Sequence, residues 1–257
     1  MIDRGEVMSE ETKLFVQYRP ENADSEPETP AWLSGADALV MDPCGCTPER
    51  FAELPVETAL LLGGDPERDA GWLEVSRCYW VCAEGLEETV RRRERWPGLN
   101  WVPQLTVYKV ATSYRFSGPA IGEGFSFYMP DTAAIQGWRV TDADRSLAEA
   151  ITRATELGFA SLWLHSEQAE TRGKGLDLEM LEKARGGPLA IWISGGAVER
   201  RHLGNLARAG GAAAVVVADT LAREAGVARL RQALIASVPL QDYPIHIASR
   251  EAEAGHL

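Results

Sequence analysis

What this chain of 257 residues lacks narrows its class. No apolar run approaches the roughly 20 residues that a membrane-spanning helix needs, so a bilayer is not an expected partner. The amino end, Met1 to Thr12, is acidic and polar and has no hydrophobic core of the kind a signal peptide carries. Positive charge is short: 26 Lys and Arg stand against 38 Asp and Glu, a net charge of −12. That balance argues against nucleic acid, whose recognition rests on clustered Lys and Arg. The one basic run, Arg91-Arg92-Arg93, reads as a solvated helix face. Cysteine is sparse as well. Cys44-x-Cys46 and Cys78-x-x-x-Cys82 match none of the common zinc spacings, and the second pair lies in an apolar run where buried thiols are ordinary. No metal and no organic cofactor is expected, and the chain reads as cytoplasmic. Hydrophobic residues, at 45%, are ample for a packed core.

Short apolar runs recur with helix-compatible segments between them. They are Lys13 to Tyr18, Ala38 to Met41, Ala59 to Leu62, Cys78 to Cys82, Trp101 to Tyr108, Ala160 to Leu164, Ala190 to Ile193 and Ala213 to Ala218. Strands buried on both faces read as nearly continuous apolar runs, and eight of them alternating with helices fit a parallel barrel. The expected fold is therefore α/β, a single (β/α)8 TIM barrel over residues 13–238. Residues 1–12 form a flexible lead-in and residues 239–257 a tail. Helices are clearest in the second half. Asp142, Asp144 or Ser146 caps one that Gly158 ends; another spans Leu176 to Arg185, a third carries Leu203 and Leu206, and a last runs from Leu221 to Ser237. The segment Ala111 to Gln136 is too long for an ordinary connection. It reads as an elaborated loop after strand 5 containing a hairpin, with Phe125 to Met129 as one arm.

Two strand ends draw attention. Ile193-Ser194-Gly195-Gly196 leads a strand through paired glycines toward a helix, and Ala213 to Ala218 ends at Asp219-Thr220. Backbone N–H groups exposed at such turns suit a phosphate, and the loops after strands 7 and 8 are the usual phosphate grip of a barrel. Leu62-Gly63-Gly64 echoes the pattern at the third strand. Each pair closes the third strand of a four-strand half, which predicts two phosphate-type turns on opposite sides of one mouth.

These pieces resemble the histidine-biosynthesis barrel family, the isomerase acting on a phosphoribosylformimino-aminoimidazole carboxamide ribotide and its sister cyclase. The residues that carry the resemblance are Gly137-Trp138, the loop Leu164 to Glu170, Ser194-Gly195-Gly196 and Val215 to Asp219, with Ala36 to Asp42 and Gly63-Gly64 in the first half. The resemblance implies a small phosphorylated metabolite held by Gly63, Gly64, Gly195, Gly196 and Thr220, with Trp138 stacking on it. The departures are equally specific. The family's acid and base are aspartates ending the first and fifth strands. Here those strands read Leu14 to Arg19 and Trp101 to Lys109, with no carboxylate. His165 replaces the sixth-strand threonine, Glu170 the loop aspartate, and Asp219 puts a carboxylate where a phosphate oxygen would sit. The likeness is thus to relatives of the isomerase that lack its catalytic aspartates, some of which accompany one-carbon or methanopterin cofactor genes.

Chemistry on a barrel belongs at the carboxyl ends of its strands. Candidates there are Gln17, Arg19, Asp42, Gln104, Thr106, Lys109, His165, Glu167, Glu170 and Asp219. Imidazole side chains change charge near neutrality, so His165 suits acid–base work with Asp42 or Glu170; Arg19 suits an anion. His202 falls on the seventh helix, away from the mouth, and His246 and His256 in the tail. The expected function is an isomerase-like or lyase-like enzyme acting on a phosphorylated metabolite, distinct from the histidine-pathway isomerase. The rival expectation is an inactive barrel serving as a ligand-binding subunit or as part of a homo-oligomer or protein complex.

Overall fold

Eight parallel strands close on themselves in the computed structural model, which describes residues 11–20, 30–110, 113–116, 130–134, 137–141 and 145–235. In chain order the strands are β1 (Lys13–Gln17), β2 (Ala38–Met41), β3 (Ala59–Leu62), β4 (Cys78–Cys82), β5 (Asn100–Val110), β6 (Ser113–Phe116), β7 (Pro130–Ala134), β8 (Gly137–Val140), β9 (Ser161–Ser166), β10 (Ala190–Ser194) and β11 (Ala214–Val217). The barrel runs β1-β2-β3-β4-β5-β9-β10-β11 and closes where β11 pairs with β1, Leu14 opposite Val215. The (β/α)8 TIM barrel read from the sequence is the fold found.

Alternation along each strand explains the unbroken apolar runs. One set of side chains fills the barrel: Phe15, Val40, Leu60, Val81, Trp163, Trp192 and Val216 are among them. Phe15 meets Trp192 edge-on with ring centroids 5.0 Å apart, and Tyr79 approaches the same indole at 6.2 Å. The alternate set, including Leu14, Leu39, Leu61, Trp80, Leu105, Leu164, Ile193 and Val215, faces outward under the helices. Both faces are buried, so the strands are apolar apart from their ends and from Gln104 and Thr106 of β5.

The helices are α1 (Pro48–Ala52), α2 (Leu86–Arg95), α3 (Leu147–Glu156), α4 (Glu167–Arg172), α5 (Leu178–Ala184), α6 (Arg200–Ala209), α7 (Asp219–Ala225) and α8 (Val227–Ile235). Ser146 opens α3 with a reciprocal capping box to Glu149; the alternative caps Asp142 and Asp144 lie outside the described residues. The single helix expected from Leu221 to Ser237 is instead two. Gly226, at φ +77°, takes the left-handed turn that ends α7 and redirects the chain so that Leu221 and Leu230 both reach the core. Short 3-10 turns, Ala31–Leu33 and Ala70–Glu74, stand in the β1–β2 and β3–β4 crossovers.

The elaborated loop follows β5, as expected. β6 and β7 pair antiparallel as a separate ribbon, and β8 returns antiparallel along the far end of β5, Val107 opposite Val140. The hairpin arm expected at Phe125 to Met129 lies outside the described residues, as do residues 1–10, the tail beyond 235, and His246 and His256.

Candidate functional site

Neighbouring strands β9 and β10 run in register, Trp163 opposite Trp192 and His165 opposite Ser194. Trp163, His165 and Ser194 therefore share the inward face, with the last two at the carboxyl end. Their polar atoms join in a chain. The Trp163 indole Nε1–H donates to Ser194 Oγ at 2.8 Å, and Ser194 Oγ lies 3.0 Å from His165 Nδ1. His165 Nε2 then reaches Glu170 Oε2 at 2.9 Å. Local structure delivers Glu170: Ser166 ends β9 and caps α4, its hydroxyl accepting from the Ala169 N–H, and the first turn of α4 brings Glu170 back over His165. The chain runs from complete burial at Trp163 to 63% side-chain exposure at Glu170, so it ends at the solvent of the mouth.

The Ser194-Gly195-Gly196 turn is dictated by packing. Gly195 and Gly196 sit at φ +97° and +86°, and a methyl group on either would lie 2.3 Å from a carbonyl oxygen, that of Ser166 and that of Gly175 respectively. Gly175 N–H in turn donates to the Gly196 carbonyl at 2.9 Å. The N–H groups of Gly195 and Gly196 meet no acceptor among the described residues. Beneath the loop that follows lies His202, buried at the start of α6. Its Nδ1 accepts from the N–H groups of Val198 and Glu199, each at 3.3 Å. Desolvation, helped by Arg201 and opposed by Glu199, holds His202 below the ordinary imidazole range. The sequence placed it away from the mouth; in the structure it braces the loop leaving Gly196.

The partner turn after β11 is closed from within. Asp219 Oδ1 accepts the Thr220 N–H at 2.8 Å, and Arg223 Nε lies 3.8 Å from Oδ2. The protein's own carboxylate thus occupies the Thr220 amide. Nor do Gly63 and Gly64 repeat the geometry of Gly195 and Gly196. Gly63, at φ +69°, donates to Val81 in the barrel ladder, and Gly64 is required because a side chain there would strike the Trp80 ring at 2.9 Å. The echo in sequence is not an echo in conformation.

Asp42 and Arg19 line a cleft of about 790 Å³ over β1, β2 and β3, with Gln17, Leu62 and Cys44. Asp42 Oδ1 accepts the Cys44 N–H at 2.8 Å, an Asx turn. Around the ring, β2 stands opposite β9, so Asp42 and His165 face each other across the mouth and the carboxylate bonded to His165 is that of Glu170. Gln104 and Thr106 of β5 lie beside Trp163 and His165 in register, completing a mouth lined with amides and hydroxyls. Lys109 is engaged elsewhere, in an ion pair with Glu179 at 2.6 Å and over the Trp138 ring at 5.7 Å. Trp138 itself is packed into the layer outside the barrel, only 7% exposed, and its Nε1 has no partner among the described residues.

All four cysteines are free thiols, and burial pushes Cys46, Cys78 and Cys82 up to about 11, 12 and 11. Among the described residues no cluster of three or more His, Cys, Asp or Glu is placed to hold a metal ion, and no helix is long and apolar enough to cross a membrane.

Sequence reasoning missed Ser194 and Trp163 as members of the site. A signal for both existed: Trp163-x-His165 alternates on one strand face, and Ser194 is the single polar residue ending an otherwise apolar strand. No protein-family model matches the chain, and no curated protein matches it.

Proposed function

We propose that the chain is an enzyme acting on a small phosphorylated metabolite at the barrel mouth, with His165 and Glu170 as the pair that handles protons. The observation that carries this reading is the hydrogen-bonded chain from Trp163 through Ser194 and His165 to Glu170, which fixes a titratable ring at the carboxyl end of a barrel strand. The phosphate is assigned to the Gly195 and Gly196 amides, which adjoin Ser194. The reaction class that fits a carboxylate beside an imidazole is proton transfer of the isomerase or lyase kind. The chain is read as a cytoplasmic relative of the histidine-biosynthesis isomerase with a different reaction, because amides, Gln17 and Gln104, stand near the ends of strands where the isomerase carries aspartates. One-carbon or methanopterin-type cofactor biosynthesis is the metabolic setting the resemblance suggests.

The test is a thermal-shift screen of the whole protein against inorganic phosphate, ribose phosphates and pterin precursors. A ligand at a hundred times its dissociation constant stabilises by about 2.7 kcal/mol, a clear rise in melting temperature. The expected result is a saturable rise that His165→Asn or Gly195→Ala abolishes, and crystals soaked with the hit showing an anion on Gly195 and Gly196 in the cavity that His165 faces. A flat screen, or an anion seated elsewhere, overturns the reading. A second reading, a barrel without chemistry that binds a ligand or assembles in a complex, is favoured by Asp219 closing the Thr220 amide. It gains ground if a ligand binds and His165→Asn leaves its affinity unchanged.

A further inference from the structure

Donors and acceptors along the hydrogen-bonded chain fix where its protons sit. An indole nitrogen is a donor only, so Trp163 uses one lone pair of Ser194 Oγ. Ser194 is 4% exposed, and its single hydroxyl proton needs an acceptor inside the protein. His165 Nδ1, at 3.0 Å, supplies one only if that nitrogen is bare. A neutral ring with bare Nδ1 carries its proton on Nε2, where Glu170 Oε2 waits at 2.9 Å. The opposite tautomer fails twice. Nδ1–H would take the second lone pair of Ser194 Oγ and strand the hydroxyl proton, and bare Nε2 would face the carboxylate lone pairs.

We infer that Trp163 and Ser194 are positioning residues that lock His165 into the neutral Nε2–H tautomer. His165 is thereby a hydrogen-bond donor aimed at the mouth, and Glu170 is the member of the pair that accepts a proton. The ligand class follows: a molecule presenting a carbonyl or anionic oxygen, which takes the place of Glu170 Oε2 on the Nε2–H and frees the carboxylate beside it. A preset N–H is most useful to an oxygen whose charge grows during reaction. This inference rests on the mouth being the ligand site proposed above, while the tautomer of His165 is set by the protein's own groups.

The experiment is long-range 1H–15N correlation NMR of the full chain labelled on its four histidines, with His165→Asn identifying the His165 signals. The expected spectrum at neutral pH shows a bare Nδ1 and a protonated Nε2. Glu170→Ala separates the lock from the carboxylate: His165 keeps the same single tautomer because Ser194 and Trp163 still hold it. Adding Ser194→Ala to Glu170→Ala, or Trp163→Phe to it, lets the Nδ1–H tautomer appear beside the Nε2–H one, and Ser194→Thr in place of the alanine restores the single tautomer. Unmoved His202 signals verify that each variant is folded. An Nδ1–H ring, a doubly protonated ring or a tautomer mixture in the wild type overturns the inference, as does a mixture in Glu170→Ala alone. Should the double variants not fold, Glu170→Ala decides by itself. No ligand is needed, so a flat ligand screen with a locked tautomer refutes the proposed function alone, and binding with a mixed tautomer refutes the lock alone.

Discussion

Replacing Gly195 with alanine puts a methyl carbon 2.3 Å from the Ser166 carbonyl oxygen, 3.1 Å from its carbon and 3.3 Å from its nitrogen. All three atoms are backbone at the junction of β9 and α4, so no flexible side chain can turn away. Favourable carbon contacts begin near roughly 3.5 Å, and relief requires the β9 end or the turn itself to move. Two costs add. Holding a residue with a Cβ at φ +97° costs about 1–2 kcal/mol, and overpacking a filled site costs about 1–3 kcal/mol. Gly195→Ala should therefore lose about 2–5 kcal/mol, a large share of the roughly 5–15 kcal/mol that a folded domain typically has. At about 2–4 °C per kcal/mol, the melting temperature drops on the order of 10 °C. Two controls divide the sum. Gly63→Ala, at φ +69° with nothing within 4 Å, carries the dihedral cost alone, about 1–2 kcal/mol. Gly98→Ala, open and without a positive φ, stays within about 0.5 kcal/mol of the wild type. Guanidinium unfolding followed by tryptophan fluorescence gives the three values on one scale. If Gly195→Ala and Gly63→Ala lose the same amount, the turn is not seated on Ser166 and the crowding argument is refuted.

Other outcomes are equally specific. Asp219→Ala uncovers the Thr220 N–H and removes a charge from the turn after β11, so if the proposed phosphate grip includes that turn, inorganic phosphate should bind at least about tenfold tighter by calorimetry, each tenfold being about 1.4 kcal/mol; unchanged affinity would mean Asp219 does not block such a site. His202 is held below the usual value of 6.5, so the unfolded chain takes up its proton first. Its stabilising contribution is whole above that value and is lost as pH falls from there through the lower folded value. A pH series of melting temperatures should fall on the acid side in the wild type and flatten there in His202→Asn. Cys44 is exposed while Cys46, Cys78 and Cys82 are buried with raised values, so a thiol reagent should titrate one group rapidly in the native protein and all four after denaturation. Rapid reaction of a second native thiol would show that one of the buried sites opens readily.

The barrel was legible because its strands are buried on both faces. Ala38–Met41, Ala59–Leu62 and Cys78–Cys82 can be read to the residue from apolar content alone. Where one glycine divides a helical stretch, the single-helix reading failed: Val227, Leu230 and Leu234 keep a helical spacing, Leu221 lies out of phase six residues before Val227, and the turn at Gly226 brings it to the core on a helix of its own. Residues at the mouth were legible as a set, since strand ends place polar groups there. Their pairing was not. Asp42 and Glu170 had equal standing as partners for His165 until strand order put β2 across the ring and α4 immediately above β9. Ser194 read as the first residue of a glycine turn because its bond partners, Trp163 and His165, lie 31 and 29 residues earlier and meet it only through register. Trp138 followed from resemblance, and burial against the barrel's outer layer decides its surroundings instead.

The helical coat of the described residues is unevenly distributed around the ring. Among the described residues, the crossovers from β1 to β4 carry two 3-10 turns and the five residues of α1, whereas α3 to α8 surround β9, β10 and β11, with α6 packed on α8. Helical amides bonded over packed side chains exchange slowly, and thinly covered strands open at lower cost. His165 and Glu170 thus stand on the half with more helical cover among the described residues, while the cleft beside Arg19 and Asp42 opens on the half with less. Such a division lets the loops around β1 to β3 change over evolutionary time while the ring that holds His165 keeps its geometry. New specificity on this barrel would be expected to arise around β1 to β3, with the same imidazole reused beneath it.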